Sequence, residues 1–125
     1  MQVNLFELAA KQSQWLSVRQ SAIAGNIANV NTPGFKALEV EPFEKVLDGT
    51  RVAIKATQVS HLSGAGNAEG VSIKQRPDGP VALPSQNNVV LENELMDAGE
   101  VRRAFELNTG IVKAFNRMTM LVTKG

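Results

Sequence analysis

The chain has 125 residues, 43% hydrophobic and 20% charged, enough for one domain with a modest core and short of the length at which chains split in two. Thirteen basic residues against twelve acidic ones leave a net charge of +1, so no whole-molecule field draws in nucleic acid or anionic lipid. The absence of cysteine excludes disulfides, thiolate nucleophiles and Cys-based metal sites, and the longest aliphatic runs fall far short of the roughly 20 residues that cross a bilayer.

The chain opens Met1-Gln2-Val3-Asn4 with no basic region, and Glu7 and Lys11 interrupt the apolar residues that follow, so no cleavable secretory signal is expected. The doublets Leu8/Ala9, Trp15/Leu16 and Ala22/Ile23 recur at a heptad spacing and are continued by Ile27 and Val30. That pattern predicts a helix over 5–30 with one apolar face, roughly 39 Å long. Asn4 is a plausible N-cap, with Glu7 three positions on as in a capping box.

The stop is explicit. In Asn29-Val30-Asn31-Thr32-Pro33-Gly34, Pro33 pushes Thr32 out of the α region and Gly34 can take the positive φ of a type II turn. An extended piece over 35–41 and one or two helical turns over 42–47, closed by Asp48-Gly49, are expected next. Strand-like alternation returns over 51–57 and 70–75, on either side of Ser63-Gly64-Ala65-Gly66-Asn67; a small hairpin and an irregular loop fit this middle equally well.

The last element is predicted as a helix over 89–123, capped by Asn87 or Asn88. Acidic residues Glu92, Glu94, Asp97 and Glu100 lie early and Arg102, Arg103, Lys113, Arg117 and Lys124 later, matching the helix dipole. At 100° per residue, Leu107, Ile111, Ala114, Met118 and Leu121 form one stripe. Val101, Phe105, Val112, Phe115 and Val122 form its neighbour. Together they make an apolar arc of about 200°, whereas one partner helix covers about 100°. The N-terminal helix supplies one neighbour, through Leu8, Trp15, Leu16, Ile23 and Ile27. The remaining coverage has to come from helices of other copies or related subunits.

Catalytic and cofactor chemistry finds no footing. His61 lies in the least structured region with no nucleophile spacing around it. Glu39, Glu41 and Glu44 form none of the usual ligand spacings, so no metal is expected. Gly64 and Gly66 lead into no Gly-Lys-Ser/Thr sequence. Gly25, Gly99 and Gly110, costly inside helices, point to close helix contacts or gentle bending.

The string Gly25-Asn26-Ile27-Ala28-Asn29-Val30-Asn31-Thr32-Pro33-Gly34-Phe35-Lys36 resembles the signature of the flagellar rod and hook axial proteins. In that family an N-terminal helix runs into an Ala-Asn-x-x-Thr-Pro-Gly-aromatic-Lys turn. Asn88 to Met96 is similar to the family's lead-in to its last helix, and the ending Phe115-Asn116-Arg117-Met118-Thr119-Met120-Leu121 is most like the proximal rod member. The resemblance implies a mainly α fold in which long N- and C-terminal helices pack as a coiled-coil-like pair. On that reading, 1–34 form the first helix and turn, 35–88 the middle and 89–125 the last helix.

It also implies a non-enzymatic subunit of the periplasmic basal-body rod, exported by the flagellar type III apparatus without signal cleavage. The implied partners are copies of itself, other rod subunits and proteins at the junction between rod base and MS ring. The export element Phe-x-x-x-aliphatic is matched only as Phe6 followed by Ala10. Another short rod protein, or a secreted helical adaptor with a single partner, is the competing reading.

Overall fold

The computed structural model describes residues 4–53, 71–79 and 84–124. The described elements run α1 (Leu5–Ala28), β1 (Leu38–Val40), α2 (Phe43–Ala53), β2 (Ile73–Gln75) and α3 (Leu91–Lys124). His61, Gly64 and Gly66 fall outside the described residues.

Local chemistry sets the ends of α1. Asn4, in an extended conformation, accepts the Phe6 N–H on its side-chain oxygen at 3.0 Å, which satisfies one of the orphan donors of the first turn. Glu7 pairs forward with Lys11 at 3.6 Å. At the far end the Phe35 N–H donates to Thr32 O at 3.2 Å and Gly34 has φ +77°, which is a type II turn with Pro33 and Gly34 at its centre.

The two long helices lie antiparallel. The Phe6 ring meets Phe115 edge-on at 5.0 Å, and Asn108 Nδ2 donates to Ala9 O (3.1 Å) and Gln12 Oε1 (3.0 Å). Further along, Arg19 reaches Asp97 and Glu100 at 3.6 and 3.4 Å, and Asn26 meets Glu94 at 3.2 Å. The core of this pair is Leu16, Ile23 and Val101, with Trp15, Ile27, Ala98, Ala104 and Phe105 packed against it. On α3 the seam follows Glu94, Val101, Asn108 and Phe115, seven residues apart, interleaved with Ala98, Phe105 and Val112, as a coiled-coil repeat requires.

The middle departs from the sequence expectation. β2 pairs with β1, antiparallel, in the register Leu38↔Gln75, Glu39↔Lys74, Val40↔Ile73; of the strand expected over 51–57, the first three residues are the end of α2 and the rest lie outside the described residues. The helix expected to close at Asp48-Gly49 runs on through both, because a glycine weakens a helix by about 1 kcal/mol without breaking it as proline does. β1 offers an edge because Trp15 Nε1–H donates to Glu41 O at 2.7 Å and fixes the strand beside α1. Phe43, at the start of α2, stacks at a tilt on the same indole, 5.6 Å between ring centres.

One further expectation is corrected. Neither Asn87 nor Asn88 caps α3; their side chains are used elsewhere, as described below. Among the described residues a Cβ on Gly25, Gly99 or Gly110 would meet nothing within 4 Å, so of the two expected reasons for these glycines, close packing within the described residues does not apply.

Leu16 is 1% exposed and Leu121 68% exposed. In the isolated subunit Leu16→Ala should therefore lower the unfolding free energy by roughly 2–5 kcal/mol. Leu121→Ala should change it by about 0.5 kcal/mol or less. Urea unfolding at low protein concentration checks this, and equal losses would contradict the seam.

Candidate functional site

Two features of the surface are built deliberately: a polar fastening where the turn meets the helices, and an apolar stripe left open along α3. The fastening centres on Asn26, buried on the α3 side of α1. Its Oδ1 accepts the Leu38 N–H at 2.8 Å and its Nδ2 donates to Leu38 O at 2.9 Å, so the side chain acts as a strand partner for β1. Nδ2 also donates to Glu94 Oε2. Glu94, fully buried, takes Arg76 Nη1 on its other oxygen at 3.1 Å. One carboxylate thereby ties α3, α1 and the end of β2 together, and a buried charge is tolerable only with such partners.

The asparagines ahead of α3 extend the fastening. Asn87 Nδ2 donates to the carbonyls of Asn29, Val30 and Thr32 at 2.9, 3.1 and 2.8 Å, tying the segment ahead of α3 to the turn that follows α1. Asn88 accepts the Ala37 N–H at 2.6 Å and donates to Arg76 O at 2.8 Å. Gly34 N–H donates to Ser85 O at 2.8 Å, and Lys36 Nζ reaches Asp78 Oδ1 and Gln86 O at 2.6 and 2.7 Å. Gln86 is held at φ 56°, a left-handed conformation unusual for a side-chain-bearing residue. Within the turn Asn29 Nδ2 donates back to Gly25 O and Thr32 Oγ1 donates to Asn29 Oδ1. Ala28, Asn31 and Pro33 are exposed, and Phe35 is half-buried.

The structure separates the two α3 stripes. Val101 is buried, and Phe105, Val112 and Phe115 are half-buried towards α1. Leu107, Ile111, Met118, Leu121 and Val122 are exposed, from 44% at Ile111 to 82% at Val122. Val122 belongs with the open stripe because α3 continues past the level of Phe6, where α1 begins. Leu8 is half-buried.

Sequence reasoning missed Glu94, Arg76 and Asn108 as structural residues and gave Asn87 and Asn88 a different structural role. A signal existed for two of the missed ones: Glu94 and Asn108 stand seven residues either side of Val101, so a charge and an amide lie on the apolar seam itself. Among the described residues no group of three or more His, Cys, Asp or Glu is placed to hold a metal ion, and no helix is long and apolar enough to cross a membrane.

A family model described as flagella basal body rod protein matches residues 14–36, the part of α1 that carries Trp15 to Asn26 together with the turn. The flagellar basal body rod protein FlgB of Agrobacterium fabrum is 40% identical over 126 residues, which span 98% of this chain and 94% of that protein. The chain belongs to the FlgB family of flagellar basal body rod proteins. FlgB of Borrelia hermsii is 42% identical over 66 residues, half of this chain and 48% of that protein. The chain is thus a structural subunit of the bacterial flagellar rod, not an enzyme, and it works in the basal body by assembling with other rod subunits.

Two substitutions test the fastening. Glu94→Ala strips Arg76 and Asn26 of their shared acceptor and should destabilise the subunit by roughly 3–5 kcal/mol, with Glu94→Gln losing less. Gly34→Val forces a β-branched residue into positive φ in open space and should lose about 1–2 kcal/mol through the backbone alone. Urea midpoints measure both; unchanged stability in either variant contradicts its assigned role.

Proposed function

We propose that the open α3 stripe, Leu107, Ile111, Ala114, Met118, Leu121 and Val122, is the contact through which this subunit joins its neighbours in the proximal rod. The inner stripe of Val101, Phe105, Val112 and Phe115, with Leu8, Trp15, Leu16, Ile23 and Ile27, holds the subunit together. The observation that carries this reading is the exposure of Ile111 beside the half-burial of Val112. Adjacent residues on one helix point about 100° apart, so the apolar arc is split between an internal and an external partner. A row of large apolar side chains this long is rarely left in water on a protein that acts alone.

On this reading the signature turn, Asn26 and Asn29 to Lys36, is a scaffold that fixes where the middle of the chain leaves the helix pair. Copies of the chain, other rod subunits and proteins at the junction of rod base and MS ring are the partners. Delivery is by the flagellar type III apparatus without signal cleavage. Phe6 packs against Phe115 in the folded subunit, so any use of Phe6 in export precedes folding.

Ile111→Asp should leave the helical content and urea midpoint of the isolated subunit nearly unchanged while abolishing its incorporation into basal bodies. Val112→Asp should lower stability by roughly 1.5–3 kcal/mol, the value of an apolar side chain withdrawn from the seam. Circular dichroism with immunoblotting of purified basal bodies reads both effects. Normal incorporation of Ile111→Asp contradicts the proposal.

A further inference from the structure

The open stripe of α3 has a counterpart on the same molecule that cannot reach it. On the side of α1 turned away from α3, Ser17, Val18, Ser21 and Ala22 form the floor of a notch of about 340 Å³ whose walls are Leu38 of β1 and Ile73 of β2. Ile73 is 38% exposed, and among the described residues no charged one lines the notch. The outer face of α1 continues as small, exposed residues through Ala24 and Ala28 in one direction, and through the half-buried, uncharged Gln14 to Ala10 in the other. A helix surface of Ser and Ala lets another helix approach closely, and the Ile73 wall gives the approaching side chains an apolar surface to meet.

We propose, building on the assembly role of the α3 stripe, that the occupant of this notch is the α3 ridge of a second copy of the chain. Large side chains at 107, 111, 118 and 121 are the knobs, and the Ser17–Ser21 floor with its Leu38 and Ile73 walls is the hole. Both surfaces are free of charge at their centres, so their contact desolvates no ion. The two surfaces lie on different helices facing different directions, so the contact is heterologous: each copy offers a ridge to one neighbour and a notch to another, and copies add in series.

The size of the contact explains how such a subunit stays apart until it is placed. From Leu107 to Leu121 the ridge is roughly 21 Å long, and at one helix diameter of about 10 Å it covers roughly 200 Å² of each copy. A stable pairwise interface needs about 800 Å² per partner. One ridge in one notch is therefore too weak to hold a dimer, and the contact persists only where several neighbours act together.

The absence of native cysteine makes the test direct. Ser21→Cys is combined in one chain with cysteine at 107, 111, 114 or 118 in turn, a scan that finds the register. Oxidation is carried out on basal bodies and on concentrated subunit. Within a chain the paired positions lie on faces turned away from each other, so a bond between them joins two copies. At least one double variant should give a ladder of dimers, trimers and longer species, with each single variant remaining monomeric. Ser21→Arg, on an exposed position, should keep the wild-type urea midpoint yet reduce incorporation at least tenfold.

Absence of any ladder overturns the proposal, as does efficient dimerisation of Ile111→Cys alone, which indicates ridge against ridge. Normal incorporation of Ser21→Arg overturns it too, since a notch filled by a neighbour's ridge has no room for the Arg side chain. These outcomes are separable from failure of the assembly reading itself. That reading stands if Ile111→Asp blocks incorporation while Ser21→Arg does not, and falls if Ile111→Asp assembles normally.

Discussion

An antiparallel helix pair can cover only one side of each helix, and α3 carries apolar residues around about twice that width. The rest of the molecule is arranged around this mismatch. α1 takes the inner stripe, with Leu16 and Ile23 against Val101. β1 lies against α1 and β2 pairs with β1, while Leu107, Ile111, Met118 and Leu121 on the outer face of α3 stay exposed. Such a surface is a liability in a free monomer, and the assembly contact proposed above would bury it in the rod.

A pair of helices joined by a long middle segment also needs a device that fixes their register and the direction in which the chain departs. The apolar seam is short of specificity for this, since Leu, Ile and Val tolerate sliding. Polar residues on the seam supply it. Asn108 reads the position of Ala9 and Gln12, and Glu94 reads Asn26 and Arg76; a shift by one helical turn would strand each of them buried and unpaired. Asn26 then carries the register outward by pairing with both backbone groups of Leu38. The signature string is in this sense a mechanical joint, with Asn87 bonded to three carbonyls of the turn that follows α1.

The long helices, the Pro33-Gly34 turn and the family resemblance were legible because each rests on local chemistry: heptad spacing, a proline after a β-region residue, a glycine with positive φ. The pairing of β2 with β1 was not legible. It depends on Trp15 and Asn26, 12 to 26 residues away from the strand they hold, and alternation over a few residues cannot separate a strand from the end of α2. Asn87 and Asn88 read as helix caps by proximity, while the structure uses them to reach Asn29 and Ala37, more than 50 residues away in sequence. The division of the α3 arc into inner and outer stripes was visible as a geometric need. Which stripe faces inward depends on where α1 lies, and only the fold supplies that.

The most direct measurement compares methionine oxidation in free and assembled protein. Met118, on the outer stripe, is 58% exposed in the subunit, and a buried thioether oxidises far more slowly than an exposed one. Dilute peroxide followed by peptide mass spectrometry should oxidise Met118 readily in the isolated subunit and at least tenfold more slowly in purified basal bodies. Equal oxidation of Met118 in both states would show that the outer stripe of α3 remains open in the rod, and would contradict its role as the assembly contact.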